Sequence, residues 1–372
     1  MCRALKLKTG TSPVKEKFSE SRYFRNIMIT PSFPIRAERL FETNQLNNLK
    51  IVLMKNILPP WIIKRPKICD SLYNLPKKIL CSPDELRQYT LKHLAKHNDK
   101  IPIYTDGSKS ENGVGFAVVG NDFKIQSSLP SFASVYTAEL YAIKYALLGI
   151  ESRHLTDVII YSDSRSAIEA ITSYHPRNAL VANIQYLLNK LIDKRMSIVL
   201  CWIPAHIGLQ GNEKADKAAK EAVTFPKLVE HLPIEDVIIY IKIFINNKWQ
   251  EEWQNYPPHN KLREIKETVK AWKSSIQSKR HEEVVLARLR IGHTNITHSF
   301  LMCTPHEPPP FCNTCQVHLT VKHILVDCRN YNIFRNALFK SPSLTGILTE
   351  NPNFSALIIF RFLKIYKLFD KI

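Results

Sequence analysis

Residues 101–119 read IPIYTDGSKSENGVGFAVV, two apolar segments separated by a short polar one. The first segment predicts a strand over 101–106 that ends on Asp106, and the second predicts a buried strand over 114–119. An Asp-Gly pair after an apolar run is also an ordinary hairpin signal, and a turn would account for Gly107. Taken alone, Asp106 therefore indicates no more than a turn, and a chemical role for it requires further acids at the same place.

The residues that follow alternate between strand and helix patterns. They predict, in order, a strand at 123–129, a helix at 136–150, a strand at 158–162, two helices at 164–171 and 178–195, a strand at 197–203 and a helix at 213–223. Strands joined by short turns are antiparallel, whereas a strand reached through a helix is normally a parallel neighbour. The sequence therefore predicts an α/β fold with a mixed five-stranded sheet and flanking helices.

Four acids are expected to converge on this sheet. If the fourth strand lies beside the first, Asp106 and Asp163 leave neighbouring C-terminal strand ends, where ligands bind in open α/β sheets. Glu139 lies near the start of a helix packed on the sheet, and Asp216 lies in the first turns of the last helix. Four carboxylates in one cleft raise one another's pKa and need cations. Oxygen ligands suit Mg²⁺ or Mn²⁺, and two such ions about 3.5–4 Å apart can carry out in-line phosphodiester cleavage.

Composition and length set the broad class. The 372 residues, 45% of them hydrophobic, allow two or three domains with proper cores. The opening residues MCRALKLKTG contain no apolar run long enough for a signal peptide or a membrane span, so an intracellular protein without a membrane partner is expected. In that setting the eight cysteines favour thiols or metal ligands over disulfides.

The formal charge of +19 is unevenly distributed and points to a polyanionic partner such as nucleic acid. Residues 1–96 hold 19 Lys and Arg against 7 Asp and Glu, residues 97–225 hold 13 of each, and residues 226–372 hold 20 against 13. We predict these blocks as a basic N-terminal extension or linker, the α/β domain, and a helical region with a Cys/His cluster. The alternative is that the basic flanks are only solvated faces or disordered tails.

Four blocks of the sequence resemble, in the same order, a type-1 ribonuclease H domain: YTDGSK, TAEL, YSDSRSA and WIPAHIGLQGNEKAD. The resemblance implies a ribonuclease H-like fold and an endonuclease that cuts the RNA strand of an RNA–DNA hybrid. The family's acidic quartet, which holds the metal ions, matches Asp106, Glu139, Asp163 and Asp216. Its loop histidine, which assists proton transfer or product release, matches His206.

Both flanks resemble more specifically the C-terminal part of a non-LTR retrotransposon polyprotein of the arthropod jockey kind. The stretch LPPW at 58–61 is similar to the linker that follows the reverse transcriptase, and EVVLARLRIGHTNITHSFLM at 283–302 is similar to the C-terminal region. The resemblance covers about residues 20–335. The sequence contains no Tyr/Phe-x-Asp-Asp motif of the polymerase, so a truncated or domesticated fragment is expected.

The sequence departs from the family pattern just before the helix glutamate. Many relatives carry Asn-Gln there, which contacts the minor-groove face of the RNA strand, but this chain has Val135 and Tyr136. Backbone groups could substitute in reading the 2′-hydroxyl. The chain also lacks a basic helix-loop insertion between Asp163 and the fifth strand, in keeping with the neutral charge of that block.

The C-terminal stretch CNTCQVHLTVKHILVDC offers Cys312, Cys315, His323 and Cys328 in a C-x2-C-x7-H-x4-C pattern. Paired cysteines followed by His and Cys suit tetrahedral zinc, and a thiol-rich helical core is the alternative. The ligand set remains open, because three other residues compete: His293, Cys303 and His306. Two interpretations are open for the stretch that contains Arg288, Arg290, His293 and His298. It could face nucleic acid, or it could be part of an amphipathic helix whose apolar face packs in the core.

Two functions from different classes follow from the sequence. The first is a metal-dependent endonuclease acting on RNA–DNA hybrids, and the second is a catalytically decayed, retroelement-derived nucleic-acid-binding protein. The complete quartet together with His206 favours the first. Integrases and transposases with a related fold are a third possibility, but they lack the GNEKAD ending.

Overall fold

The computed structural model describes residues 33–44, 46–54, 59, 61–69, 71–74, 82–255, 260–271, 277–302, 308–339, 343–349 and 352–372. These residues divide into two compact units, one up to Ile243 and one from Phe244. The predicted domain boundaries at 96/97 and 225/226 stay predictions. Within the described part of the chain, no helix combines the length and the apolar character needed to cross a membrane.

The first unit begins with short elements that precede the predicted sheet. They are helix α1 (Phe33–Thr43), strand β1 (Lys50–Ile51), strand β2 (Lys67–Cys69) and helix α2 (Pro83–Leu94), with 3-10 turns at Leu46–Asn48, Ser71–Asn74 and Ala95–His97. Helix α2 starts with a capping box, in which the Ser82 hydroxyl accepts from the Glu85 amide and the Glu85 carboxylate accepts from the Ser82 amide. This start fixes the position of α2, whose last turn carries His93.

The central elements follow the predicted order of three strands, a helix, a strand, two helices, a strand and a helix. They are β3 (Ile101–Ser110), β4 (Gly113–Val119), β5 (Lys124–Leu129), α3 (Val135–Ser152), β6 (Asp157–Ser162), α4 (Arg165–Thr172), α5 (Ala179–Asp193), β7 (Ser197–Trp202) and α6 (Gln210–Glu221). A 3-10 turn (Ala222–Thr224), strand β8 (His231–Leu232) and helix α7 (Ile234–Asn255) complete the series. The predicted α/β architecture with a mixed sheet is confirmed.

The described residues form a six-stranded sheet in the order β2-β7-β6-β3-β4-β5. Strands β2, β7, β6 and β3 are parallel, and β4 and β5 are antiparallel neighbours. The predicted count of five strands is therefore wrong, because β2 adds a sixth strand from the N-terminal flank. Three residues after a proline give no periodicity from which a strand can be recognised. Separately, β1 pairs with β8 in parallel.

Strand β3 does not end at Asp106 as predicted. It continues to Ser110, and Asp106 is paired with Ala117 of β4 in the antiparallel ladder. The parallel pairing with β6 does stop just before it, at Thr105 opposite Ser162. Asp106 therefore lies at the C-terminal edge of the parallel strands, although its own strand runs on into the β3–β4 hairpin.

Helices cover both faces of the sheet. On one face, β3 touches α3 so closely that a Cβ atom built on Gly107 would meet the backbone of α3. On the other face, the Tyr104 ring packs against Gly211 of α6, and a Cβ atom built on Gly211 would lie 2.2 Å from that ring. Fully buried side chains such as Ile103 and Leu140 fill the space between the sheet and α3. This packing places α3 and α6 on opposite sides of the strand that carries Asp106.

The second unit is mainly helical. Its elements are α8 (Lys261–Ile265), α9 (Arg280–Ile291), α10 (Asn295–Met302), a β9–β10 hairpin (Phe311–Cys312 and Val317–His318), a π-helical turn (His323–Asp327), α11 (Asn332–Leu338), α12 (Leu344–Thr349) and α13 (Pro352–Ile365), with 3-10 turns at Arg329–Tyr331 and Phe369–Lys371. Val285 and Leu289 of α9 pack with Phe362 and Leu363 of α13 in its core.

Candidate active site

Three of the four predicted acids meet at the C-terminal edge of the parallel strands. Carboxylate oxygens of Asp106 on β3, Glu139 on α3 and Asp163 directly after β6 lie within 4.8 Å of one another. Asp106 and Glu139 are each only 5% exposed. The expected convergence of a strand acid, a helix acid and a second strand acid is thus present in the geometry.

Gly107 makes this approach possible. A Cβ atom at this position would lie 2.6 Å from the backbone nitrogen of Glu139 and 2.8 Å from the carbonyl carbon of Ala138. The absence of a side chain therefore allows the first turns of α3 to touch β3 and to bring the Glu139 carboxylate beside Asp106. The turn that the sequence suggested for Gly107 is not the reason for the glycine, since the residue lies within β3.

Burial and mutual repulsion oppose ionisation of the cluster. Burial, followed by the charges of Asp163 and Asp216, raises the pKa of Asp106 from 3.8 to about 7. Burial and the charges of Asp106 and Asp163 raise the pKa of Glu139 well above its usual value. Burial also raises the pKa of Asp163, against a hydrogen bond from Asn212 and the charge of His206. Such a cluster is one in which a cation would be strongly favoured.

The donor set fits a hard divalent cation. All three ligands are carboxylates, and Mg²⁺ and Mn²⁺ prefer oxygen ligands. The Oε2 atom of Glu139 is buried and has no hydrogen-bond partner among the described residues. A buried carboxylate oxygen without a donor is costly, and a metal ion would satisfy it.

Asp216, the fourth predicted acid, has a different immediate neighbourhood. Its carboxylate groups with Glu213 and His206 within 4.8 Å and accepts a hydrogen bond from Lys220 one turn later on α6 at 2.7 Å. It is still close enough for its charge to raise the pKa of Asp106. Asp216 therefore flanks the three-acid cluster, with Lys220 as its present partner.

The loop between β7 and α6 carries His206. His206 is exposed and has a positive φ of 55°, and Gly208 two residues later has a φ of 74°. Before the loop, the Trp202 indole donates to the Asp163 carbonyl oxygen at 3.0 Å. These features hold the loop beside the acid cluster, so that the predicted His206 and Asp163 lie at one end of the sheet.

Sequence reasoning missed three polar residues around the acids. Asn212 hydrogen bonds to Asp163 and is buried, Glu213 lies within 4.8 Å of His206 and Asp216, and Lys220 pairs with Asp216. All three lie on α6, inside or just after the block GNEKAD, where their spacing from Asp216 was the available signal. Their roles depend on which face of α6 meets the sheet, which the sequence alone did not fix.

The positions that replace the family's Asn-Gln pair lie at the start of α3. Ser134 caps this helix by accepting from the Thr137 amide, Val135 is 43% exposed, and Tyr136 is partly buried. The Val135 side chain can neither donate nor accept a hydrogen bond, whereas the Tyr136 hydroxyl can do both. The surface expected to face an RNA strand is therefore chemically different from that of relatives with an amide pair.

The C-terminal Cys/His residues form a second cluster. Ligand atoms of Cys312, Cys315, His323 and Cys328 lie within 4.8 Å of one another, with sulfur–sulfur distances of 3.9 and 4.0 Å from Cys328 to Cys312 and Cys315. Cys312 and Cys315 lie on the β9–β10 hairpin, and His323 begins the π-helical turn that ends before Cys328. A hydrogen bond from the Cys315 backbone is the main cause that lowers the pKa of the Cys312 thiol.

The competing residues are separated from this cluster or lie outside it. Cys303 and His306 lie outside the described residues. His293 stacks instead on His298, with ring centroids 4.2 Å apart. In the preceding helix α9, Val285, Leu286 and Leu289 are buried, as the packing alternative predicts. Arg288 donates to the Ile372 carbonyl oxygen, and Arg290 donates to the Leu348 carbonyl oxygen.

The fold and the acid cluster together define an α/β domain of the ribonuclease H kind. Residues 98–224 match the family model described as RNase H, and the chain therefore contains an RNase H domain. Ribonuclease H1 of Mus musculus is 26% identical over 142 residues, which are 33% of this chain and 50% of that protein. The chain thus spans about half the length of that relative.

Two further comparisons each cover about a third of the chain. The Pol polyprotein of equine infectious anemia virus (strain Wyoming) is 33% identical over 138 residues, 36% of this chain and 11% of the polyprotein. The crystal structure of RNase H1 from Halobacterium salinarum NRC-1 is 20% identical, with a TM-score of 0.28, and covers 33% of this chain and 97% of its own.

Proposed function

We propose that the RNase H domain of this chain hydrolyses the RNA strand of RNA–DNA hybrids in a metal-dependent reaction. The observation that carries the proposal is the convergence of Asp106, Glu139 and Asp163 in a domain that matches the RNase H model. The name of the similar mouse protein, ribonuclease H1, supports the same reaction. Hydrolysis of a phosphodiester needs an activated water molecule and a stabilised leaving oxygen, and carboxylate-held ions can supply both.

The proposed role of each site residue follows from its position. Asp106, Glu139 and Asp163 would hold Mg²⁺ or Mn²⁺, and Asp216 would join them when Lys220 releases its carboxylate. The ions, two by the usual arrangement for this reaction, supply water activation and charge stabilisation at the phosphate. Burial of Asp106 and Glu139 excludes competing water from the ligands. His206, exposed on the adjacent loop, would take or give a proton as the product leaves.

We further infer that the chain derives from a retroelement polyprotein of the non-LTR, jockey-like kind and that the polymerase is absent from this sequence. The similarity to a retroviral Pol polyprotein over 138 residues supports a retroelement source in general. The LPPW and C-terminal stretches carry the narrower assignment. Residues 58 and 60 of the LPPW stretch lie outside the described residues.

The C-terminal cluster is proposed to bind zinc. Three thiols and one imidazole suit tetrahedral coordination, in which two sulfur ligands of one zinc lie about 3.8 Å apart. The 3.9 and 4.0 Å sulfur–sulfur distances agree with that spacing. The His323 Nε2 atom is buried and lacks a hydrogen-bond partner within the described part of the chain.

The experiment for the nuclease is cleavage of an end-labelled RNA–DNA hybrid by the full chain in Mg²⁺, read on a denaturing gel. Asp106→Asn should reduce cleavage to below about a tenth of wild type, because it removes a charged metal ligand. Asp122→Asn is the matched control, since Asp122 is exposed in the β4–β5 turn and should leave cleavage unchanged. A wild-type chain that binds the hybrid but cleaves none of it would instead identify the decayed, binding-only protein.

A further inference from the structure

A further group of metal-ligating side chains lies in the first unit, at the edge of the sheet formed by β2. Cys69 of β2 and Cys201 of β7 are direct partners in the parallel ladder, so both thiols point to the same face of the sheet. Both side chains are buried. The two cysteines are 132 positions apart in the sequence, which is why no motif search joins them.

Two histidines lie beside the Cys69 sulfur, His93 on helix α2 and His97 in the 3-10 turn that follows it. The Cys69 sulfur lies 2.7 Å from His93 Nε2 and 3.9 Å from His97 Nε2. Ligand atoms of Cys69, His93 and Cys201 all fall within 4.8 Å of one another. The His93–His97 spacing is H-x3-H, which places both rings on one side of a helical turn and is common among zinc ligands.

The surroundings suit a structural metal site. Cys69 and Cys201 belong to an apolar cluster with Leu72, Leu86 and Ile203, which shields the thiols from water. Two thiolates, two neutral imidazoles and one divalent ion have no net charge, so the complex can be buried without an unpaired charge. A dry shell around fully protein-supplied ligands is typical of closed, structural sites.

We propose that Cys69, His93, His97 and Cys201 form a second zinc site, which fastens the N-terminal flank to the edge of the nuclease sheet. Two ligands of one tetrahedral zinc lie about 3.6–3.8 Å apart, and the Cys69–His97 distance of 3.9 Å is close to that spacing. The Cys69–His93 contact is shorter and opens when the ion enters. Strand β2 is only three residues long, so a metal clamp explains how so short a parallel strand keeps its register.

This site is separate from the C-terminal cluster, and the experiment must keep the two apart. The full chain is therefore prepared with Cys312→Ser and Cys328→Ser together, and its zinc content is measured by elemental analysis after gel filtration. This background should retain about one zinc per chain, the stoichiometry of a single tetrahedral site. Adding Cys69→Ser should remove it, whereas adding His175→Ala, a change at an exposed histidine of the same unit, should not.

Cobalt substitution distinguishes a ligand from a residue that only supports the fold. In the same background, Co²⁺ should give the visible d–d bands of tetrahedral coordination. His97→Ala should abolish those bands, while His97→Cys should restore them with stronger sulfur-to-cobalt charge transfer, because a third thiolate enters the site. That rescue cannot come from a buried thiol–imidazole hydrogen bond alone.

Three results would overturn the proposal. One is a background protein that binds neither zinc nor Co²⁺. Another is zinc that remains after both Cys69→Ser and His97→Ala. The third is a disulfide between Cys69 and Cys201 in the purified chain, seen as a mass lower by two hydrogens. Because the readout is metal content and spectrum, it is independent of whether the acid cluster cleaves a hybrid.

Discussion

Asp106 is an almost completely buried acid that lies beside the carboxylates of Glu139 and Asp163. Its folded-state pKa of about 7 exceeds the ordinary value of 3.8, with burial as the main cause. Because the folded-state pKa is raised, protonated Asp106 makes its full contribution to the free energy of unfolding below about pH 4. This contribution is lost as the pH rises through about 7. Without a cation, ionisation of Asp106 therefore acts against folding at neutral pH.

Asp106→Asn should remove this pH-dependent loss. In Mg²⁺-free buffer the variant should match wild type near pH 4 and exceed it above pH 7 by up to about 4 kcal/mol in the free energy of unfolding, at 1.36 kcal/mol per pKa unit. Urea denaturation at pH 5, 6, 7 and 8 measures the difference, with Asp122→Asn as the control. Parallel profiles for wild type and Asp106→Asn would contradict the raised pKa.

At the level of elements, the apolar runs and helical spacings predicted the order of strands and helices in the central block. They also placed Asp106, Glu139 and Asp163 together, since strand ends and helix starts can be located from local patterns. Strand β2 was missed because it exists only through its pairing with β7, a contact between distant parts of the chain. The Cys69–His93–Cys201 cluster depends on that same pairing and was missed for the same reason.

The contact between β3 and α3 yields a prediction at Gly107. Gly107→Ala should lower the free energy of unfolding by about 1–3 kcal/mol, because its methyl group would overlap the Glu139 amide. It should also reduce hybrid cleavage, since α3 must move and take Glu139 with it. Gly149→Ala in helix α3 is the control. A Cβ atom at Gly149 would have its nearest neighbour on the Phe123 ring, 3.2 Å away, and alanine is a better helix former than glycine. Equal thermal stability and activity of the two variants would refute this account.

The hairpin and π-helical turn of the second unit yield a prediction about metal. Cys328→Ser should release one zinc from the full chain, because it removes the thiol that contacts both Cys312 and Cys315. It should also lower the melting temperature of the second unit, since zinc binding is part of the folding free energy of such small sites. Metal analysis and calorimetry measure both, with Lys322→Gln, an exposed change beside His323, as the control. Unchanged zinc in Cys328→Ser would exclude this ligand set.

At the scale of the whole molecule, the α/β block and its flanks differ in charge. Residues 97–225 carry equal numbers of acidic and basic residues, so the excess lies before and after them. Residues 244–372, the second compact unit, hold 18 Lys and Arg against 10 Asp and Glu. Since neutralised phosphates supply most non-specific affinity for nucleic acids, the flanks are expected to provide binding and the acid cluster to provide chemistry.

A chain shortened to residues 1–243 tests this division of labour. It retains the acid cluster, so kcat for hybrid cleavage should change little, while KM should rise because basic residues that contact phosphates are lost. The plot of log Kobs against log salt concentration should also become shallower by about one unit or more, since each phosphate contact contributes about 0.9 to the slope. Binding is measured in Ca²⁺, whose larger and more flexible coordination should permit binding without cleavage. If the two slopes coincide, the positive charge of the second unit does not touch the hybrid and serves only as a solvated surface.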